Sequence, residues 1–88
     1  MRRVSSTTRF DRKLIDFVES QPTLSIKAKF VIDEIIRNPF ASILKTHKLS
    51  GQLKECFASK INYKYRVIFI LTDIEVIFID IGSHDEVY

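Results

Sequence analysis

"ECFASKINYKYRVIFILTDIEVIFIDI", residues 55–81, decides how this chain folds. It contains three runs rich in β-branched and aromatic residues, ECFASKI, YRVIFIL and EVIFIDI, which is strand chemistry. The connections Asn62-Tyr63-Lys64 and Thr72-Asp73 are too short for anything but hairpins, so the strands form an antiparallel meander. Alternation along the middle strand sends Tyr63, Tyr65, Val67, Phe69 and Leu71 to one face and Lys64 and Arg66 to the other. With Thr72-Asp73 as the turn, Leu71 falls opposite Ile74 and Arg66 opposite Ile79. The chain then leaves the sheet at Gly82, and His84 is carried toward Lys60, Lys64 and Arg66.

The residues upstream supply the cover for the aromatic face. Phe10, Leu14, Phe17 and Val18 recur at helical spacing after Thr8, a candidate N-cap, and this helix stops at Gln21-Pro22. A second helix, capped by Thr23 or Ser25, carries the stripe Leu24, Ala28, Val31, Ile32 and Ile35 and ends before Asn38-Pro39. Two helices joined by a proline turn make an antiparallel hairpin with a shared apolar face. Residues 2–7, RRVSST, form a short edge strand, and residues 38–53 read as a loop with one helical turn and a Ser50-Gly51 turn. The expected architecture is α+β: a short N-terminal strand, a helix hairpin, then an antiparallel meander of three or more strands. The helices cover the aromatic face, which leaves the basic face open.

At 88 residues, with 45% apolar residues and only two glycines and two prolines, the chain reads as one domain, residues 1–88, built on a single core. The one cysteine, Cys56, has no partner for an internal disulfide and reads as a small buried hydrophobe, consistent with a cytoplasmic location. No apolar run approaches the length of a bilayer span, and the N-terminus lacks the apolar segment of a signal peptide. The net charge of +3 is unevenly spread. Residues 45–66 hold Lys45, Lys48, Lys54, Lys60, Lys64 and Arg66 against Glu55 alone, whereas residues 73–86 hold Asp73, Glu75, Asp80, Asp85 and Glu86 with no Lys or Arg. Such a basic middle suggests an anionic partner, although any single lysine in it also reads as solvated surface.

The basic face is expected to carry one imidazole, one phenol and several cations. His47 and His84 lack the spacing of recurrent metal sites, and Gly51 and Gly82 cannot make a phosphate-cradling loop, so no cofactor is expected. Metal-free RNA cleavage asks for less: a base for the 2′-hydroxyl, cations for the phosphorane and an acid for the leaving oxygen. Histidine suits either proton role, arginine suits the phosphate, and tyrosine donates a proton or stacks on a splayed base. A nucleic-acid-binding module without catalysis would carry the same residue types.

The stretches "LKTHKLSGQL", "YRVIF" and "IGSHDEVY" resemble the RelE/ParE superfamily of toxins from bacterial and archaeal toxin–antitoxin systems, in the RelE/StbE and YafQ-like branch. The resemblance runs through the whole chain in element order and is motif-specific over residues 44–88. It implies a microbial-RNase-like fold, metal-independent cleavage of mRNA in the ribosomal A site, and a toxin–antitoxin hetero-oligomer with a cognate antitoxin. By the same resemblance Arg66 binds the phosphate, His84 is the catalytic histidine of YafQ-like members, and Tyr88 sits near the substrate base. Lys60 matches a basic residue of the preceding strand, and His47 matches a loop histidine. Lys45, Lys48, Lys54 and Lys64 are expected to contact RNA. YafQ-like members carry a histidine where Lys60 stands and an acid where Lys64 stands, so a two-histidine proton relay does not transfer directly. A ParE-like inhibitor of DNA gyrase, or a catalytically degenerate toxin that only binds its antitoxin, would use the same fold.

Overall fold

The chain folds as a five-stranded mixed sheet with two long helices on one face, in a computed structural model that describes residues 2–51 and 55–88. Strand β1 (Arg3–Ser6) leads into helix α1 (Thr8–Ser20), and a 3-10 turn at Pro22–Leu24 into helix α2 (Ser25–Arg37). A second 3-10 turn (Ser42–Leu44) precedes β2 (His47–Lys48), followed by β3 (Cys56–Lys60), β4 (Tyr65–Leu71), β5 (Glu75–Ser83) and a four-residue helix α3 (His84–Val87). The sheet order is β1-β5-β4-β3-β2, antiparallel except that β1 lies parallel to β5 at one edge.

The expected helix hairpin and meander are present, with local differences. Thr7, not Thr8, caps α1: its Oγ1 accepts from the Phe10 amide at 3.1 Å. Thr7 is also held by the sheet, donating its amide to the Phe78 carbonyl at 3.0 Å. Neither Thr23 nor Ser25 caps α2; the 3-10 turn from Pro22 runs directly into it, and the Ser25 hydroxyl donates back to the Pro22 carbonyl. Strand β2 falls inside what the sequence presents as loop. Its two residues have little strand character of their own and are extended because they pair with Ala58 and Phe57.

Between helices and sheet lies the main core. Phe10, Phe17, Ala28, Val31 and Ile35 from the helices meet Tyr65, Val67, Phe69, Val76, Phe78 and Ile81 from the strands. Phe17 meets Tyr65 edge-on at 5.0 Å, and Phe69 sits between Phe57 and Phe78 at 5.9 and 6.3 Å. Each fully buried side chain of this size contributes about 1.5–3 kcal/mol.

The other face is not open as the sequence reading expected. A second, smaller cluster of Cys56, Ala58, Ile68 and Val87 lies there, joined by partly buried Leu49, Ile70 and Ile79. Alternation explains it: Ile68 and Ile70 share the Arg66 face of β4, and apolar groups on that face need a cover. Val87 of α3 and Leu49 beside β2 supply it.

The β4–β5 register also differs. Leu71 pairs with Val76 rather than Ile74, because Thr72–Ile74 makes a longer turn in which the Thr72 amide donates to the Glu75 carbonyl. A bulge follows: Phe69 pairs with Phe78 but Ile68 with Asp80, which leaves Ile79 as the extra residue. The sum of both offsets puts Arg66 opposite Gly82 instead of Ile79.

Candidate active site

The register sets Lys60, Arg66 and Gly82 in one row across β3, β4 and β5, on the face away from α1 and α2. Arg66 is half-buried in the central strand. Its Nη1 donates to the backbone carbonyls of Asn62 at 2.9 Å and of Tyr65 at 3.2 Å. The turn making those contacts is itself held: Asn62 Oδ1 accepts from the amides of Lys64 at 2.9 Å and Tyr65 at 2.8 Å. Asn62 thus orients the guanidinium through its backbone and the turn through its side chain. In the sequence Asn62 presents as a turn residue; the signal for more is its position four residues before Arg66, inside a tight hairpin.

Arg66 and Asp80 form no ion pair. The Asp80 carboxylate instead meets two cations of α1, Lys13 Nζ at 2.8 Å and Arg9 Nη2 at 3.4 Å. Among the described residues no carboxylate neutralises Arg66 or Lys60. Their charge remains available to an anionic ligand.

Helix α3 completes the row. Gly82 is still paired within β5, so the chain turns away one residue later than expected, at Ser83. Ser83 Oγ accepts from the Glu86 amide at 3.3 Å, while Glu86 Oε1 accepts from the Ser83 amide at 2.9 Å, a reciprocal capping box. The role of Gly82 is close approach. A Cβ there would stand 3.2–3.3 Å from the Glu86 side chain and from Lys13 Nζ. The His84 amide donates to the Lys64 carbonyl at 3.2 Å, which ties α3 to the end of β4, and Val87 anchors it in the second cluster.

That docking brings the two C-terminal rings together. His84 and Tyr88 meet edge-on with centroids 4.3 Å apart, and the Tyr88 amide donates to the His84 carbonyl at 3.1 Å. Burial pushes the Tyr88 phenol above the ordinary tyrosine range, while the Arg66 charge pulls in the opposite direction. Near neutral pH it is therefore a neutral O–H donor, not a base. The His84 imidazole is largely exposed, and its Nδ1 lies 3.7 Å from the solvent-exposed Asp85 carboxylate, an ion pair of little strength. Burial, with the Glu55 charge, raises the Cys56 thiol, which agrees with an inert buried cysteine.

Hydrogen bonds from Ser83 hold the Glu86 carboxyl below the ordinary glutamate value; Lys13 and Lys64 add to this and partial burial opposes it. The ionised cap holds α3 fully above about pH 4.5, and its contribution is lost as the pH falls through the lower folded-state value. On acidification, hydrogen exchange at the His84 and Tyr88 amides is expected to speed up before exchange in β4 does. Glu86→Gln, which still accepts the Ser83 bond, removes that early step; simultaneous loss of protection in α3 and β4 would contradict the assignment.

The remaining expected residues are spread more widely. His47 is in line with Ala58 and Ile68, so it lies on the Arg66 side of the sheet but on the edge strand, exposed, with Nδ1 3.4 Å from the Lys45 carbonyl. Lys48 is in line with Phe57 and Phe69 and therefore on the opposite, helix-covered side. Lys45 follows the second 3-10 turn in a left-handed conformation with φ 52°. Lys64 contributes its backbone carbonyl to α3 and sets its Nζ 5.3 Å from the Tyr65 ring centroid. Lys54 lies outside the described residues. The geometry joins Lys60, Arg66, His84 and Tyr88, leaves His47 at the margin, and separates Lys48 from the group.

The family described as the YoeB-like toxin of bacterial type II toxin–antitoxin systems matches residues 5–85. This chain belongs to that family. The fold agrees with that of solved YoeB-like and YafQ toxins, as the resemblance over residues 44–88 implied. YafQ from E. coli strain BL21(DE3) superposes with a TM-score of 0.87 at 19% identity, over 100% of this chain and 99% of that one. YafQ in the E. coli DinJ–YafQ complex gives 0.85 at 19% identity, over 100% and 99%. The YoeB dimer from Staphylococcus aureus gives 0.77 at 18% identity, over 94% and 97%. At these identities the superpositions speak for the fold of this YoeB-like toxin. No curated protein sequence matches the chain significantly. No helix of the described residues is long and apolar enough to cross a membrane.

Proposed function

We propose that this YoeB-like toxin is a ribosome-dependent mRNA endonuclease of the cytoplasm, held inactive by a cognate antitoxin. The observation that carries the reading is Arg66: a half-buried guanidinium, aimed by the carbonyls of its own turn and left without a carboxylate among the described residues, beside Lys60 and the rings of α3. In the reaction the substrate's own 2′-hydroxyl loses its proton, its oxygen bonds to the neighbouring phosphorus, and the bond to the 5′-oxygen breaks. The products are a 2′,3′-cyclic phosphate and a free 5′-hydroxyl. Arg66 and Lys60 stabilise the charge on the phosphorane. His84 supplies an exposed imidazole, a group whose chemistry suits proton transfer, and the neutral Tyr88 phenol donates to the leaving oxygen or supports the adjacent base. An antitoxin partner is supported by the solved relatives, since YafQ is found with DinJ and YoeB with YefM.

Purified protein added to a translating extract is expected to cut mRNA within the coding region and to leave cyclic-phosphate and 5′-hydroxyl ends. His84→Ala is expected to slow cutting by about 10²–10⁴-fold, the usual size of a general acid–base contribution. Intact mRNA with the wild-type protein would rule the reading out, and trapped gyrase–DNA cleavage complexes would point to the ParE-like activity instead.

A further inference from the structure

On the helix side of the Lys60 end of the sheet, a groove of about 280 Å³ runs between α2, the second 3-10 turn and the β3–β4 turn. Its walls include two aromatic rings with substantial exposure, Phe30 at 46% and Tyr63 at 84%. Two cations, Lys27 and Lys45, line it together with the strand-end residue Lys60, whose side chain the register sets on the Arg66 face, and no carboxylate does among the described residues. Exposed aromatic rings interleaved with lysines are how proteins hold single-stranded nucleic acid: the rings stack on bases while the ammonium groups follow the phosphates.

Continuity with the row on the other face gives the groove a direction. Lys60 lines the groove and pairs across the ladder with Arg66. Asn62 lines the groove too, and its carbonyl holds the Arg66 guanidinium. A strand of RNA with one phosphate at Arg66 reaches the groove by passing the Lys60 end of the sheet. We propose that Phe30 and Tyr63 form a base-stacking subsite for a nucleotide flanking the phosphate that is cut, with Lys27 and Lys45 on its backbone. This rests on the mRNA-cleaving reading above and extends it to how the substrate is gripped. It also gives Lys45 a place that the Arg66 row alone does not.

The test uses full-length protein and ribosomes stalled on an mRNA with an empty A site. The A-site codon carries 2′-O-methyl groups, which remove the attacking hydroxyl, and the flanking nucleotides carry 4-thiouridine. Photo-crosslinks are expected on Tyr63 or Phe30 when mapped by mass spectrometry. Tyr63→Leu is expected to lower both crosslink yield and cutting of unmodified mRNA by about tenfold, within the range found for loss of one base–aromatic stack. Tyr63→Phe, which keeps the ring, is expected to retain both. Crosslinks confined to other residues, or wild-type cutting by Tyr63→Leu, overturn the subsite and leave the groove to a protein partner. Failure of the two proposals is distinguishable: intact mRNA with wild-type protein defeats the nuclease, whereas the crosslink reads the groove without any cutting.

Discussion

Arg66→Ala is expected to leave mRNA essentially uncut in a translating extract, with a loss of about 10²–10³-fold, the usual effect of removing one preorganised charge-stabilising donor. The size follows from how the residue is held. Nη1 is committed to the carbonyls of Asn62 and Tyr65, which fixes the plane of the guanidinium and leaves the rest of its fork to a phosphate. No side-chain torsion has to be reorganised when charge builds on the phosphorane. Arg66→Lys is expected to recover little, because an ammonium on a flexible stem cannot bridge the turn carbonyls and the phosphate together. Two hydrogen bonds from the charged guanidinium to turn carbonyls are lost in the alanine variant, a cost of about 1.5–3 kcal/mol each, so its folding is checked alongside its activity. Primer extension on the extract's mRNA, with thermal melting by circular dichroism as a control, makes the comparison. A folded Arg66→Ala protein that cuts within about tenfold of wild type would remove Arg66 from the chemistry, since its expected contribution is far larger.

Phe69→Ala is expected to cost about 3–5 kcal/mol, a large share of the roughly 5–15 kcal/mol that holds a typical domain together. Phe69 is fully buried in the central strand, stacked toward Phe57 on one side and Phe78 on the other. Its loss would open a cavity where three neighbouring strands meet the helices, and paired backbone on either side hinders collapse. Urea unfolding should show a much lower midpoint or no cooperative transition. Phe69→Leu, which keeps most of the volume, is expected to cost less than alanine. An alanine variant with a near-native midpoint would mean that the core around Phe57, Phe69 and Phe78 tolerates the void and is not closely packed.

The strand runs 56–60 and 65–71 and the helix boundaries at Gln21-Pro22 and Asn38-Pro39 were legible because each rests on local chemistry: β-branched and aromatic content, and prolines that stop helices. The convergence of Lys60, Arg66, His84 and Tyr88 was legible as well, because even a shifted register returns the C-terminus of a meander to the start of its middle strand. Strand β2 was not. His47 and Lys48 are extended only because β3 offers them partners. Neither the Ile79 bulge nor the four-residue α3 has a strong local signal, although Ser83 and Glu86 spell a capping box once the end of β5 is known.

By itself the sequence determined which segments are strands and helices, which face of β4 is aromatic, and which reactive side chains lie near the chain's end. All of that follows from periodicity and residue type over a few neighbouring positions. Tertiary structure alone decided that Arg66 faces Gly82 and is free of Asp80, that Val87 closes a second core and thereby fixes α3, and that Lys48 lies apart from the site. A one-residue bulge costs little locally. Its consequences for which groups meet across the sheet are large, because strand pairing passes the offset to every residue beyond it.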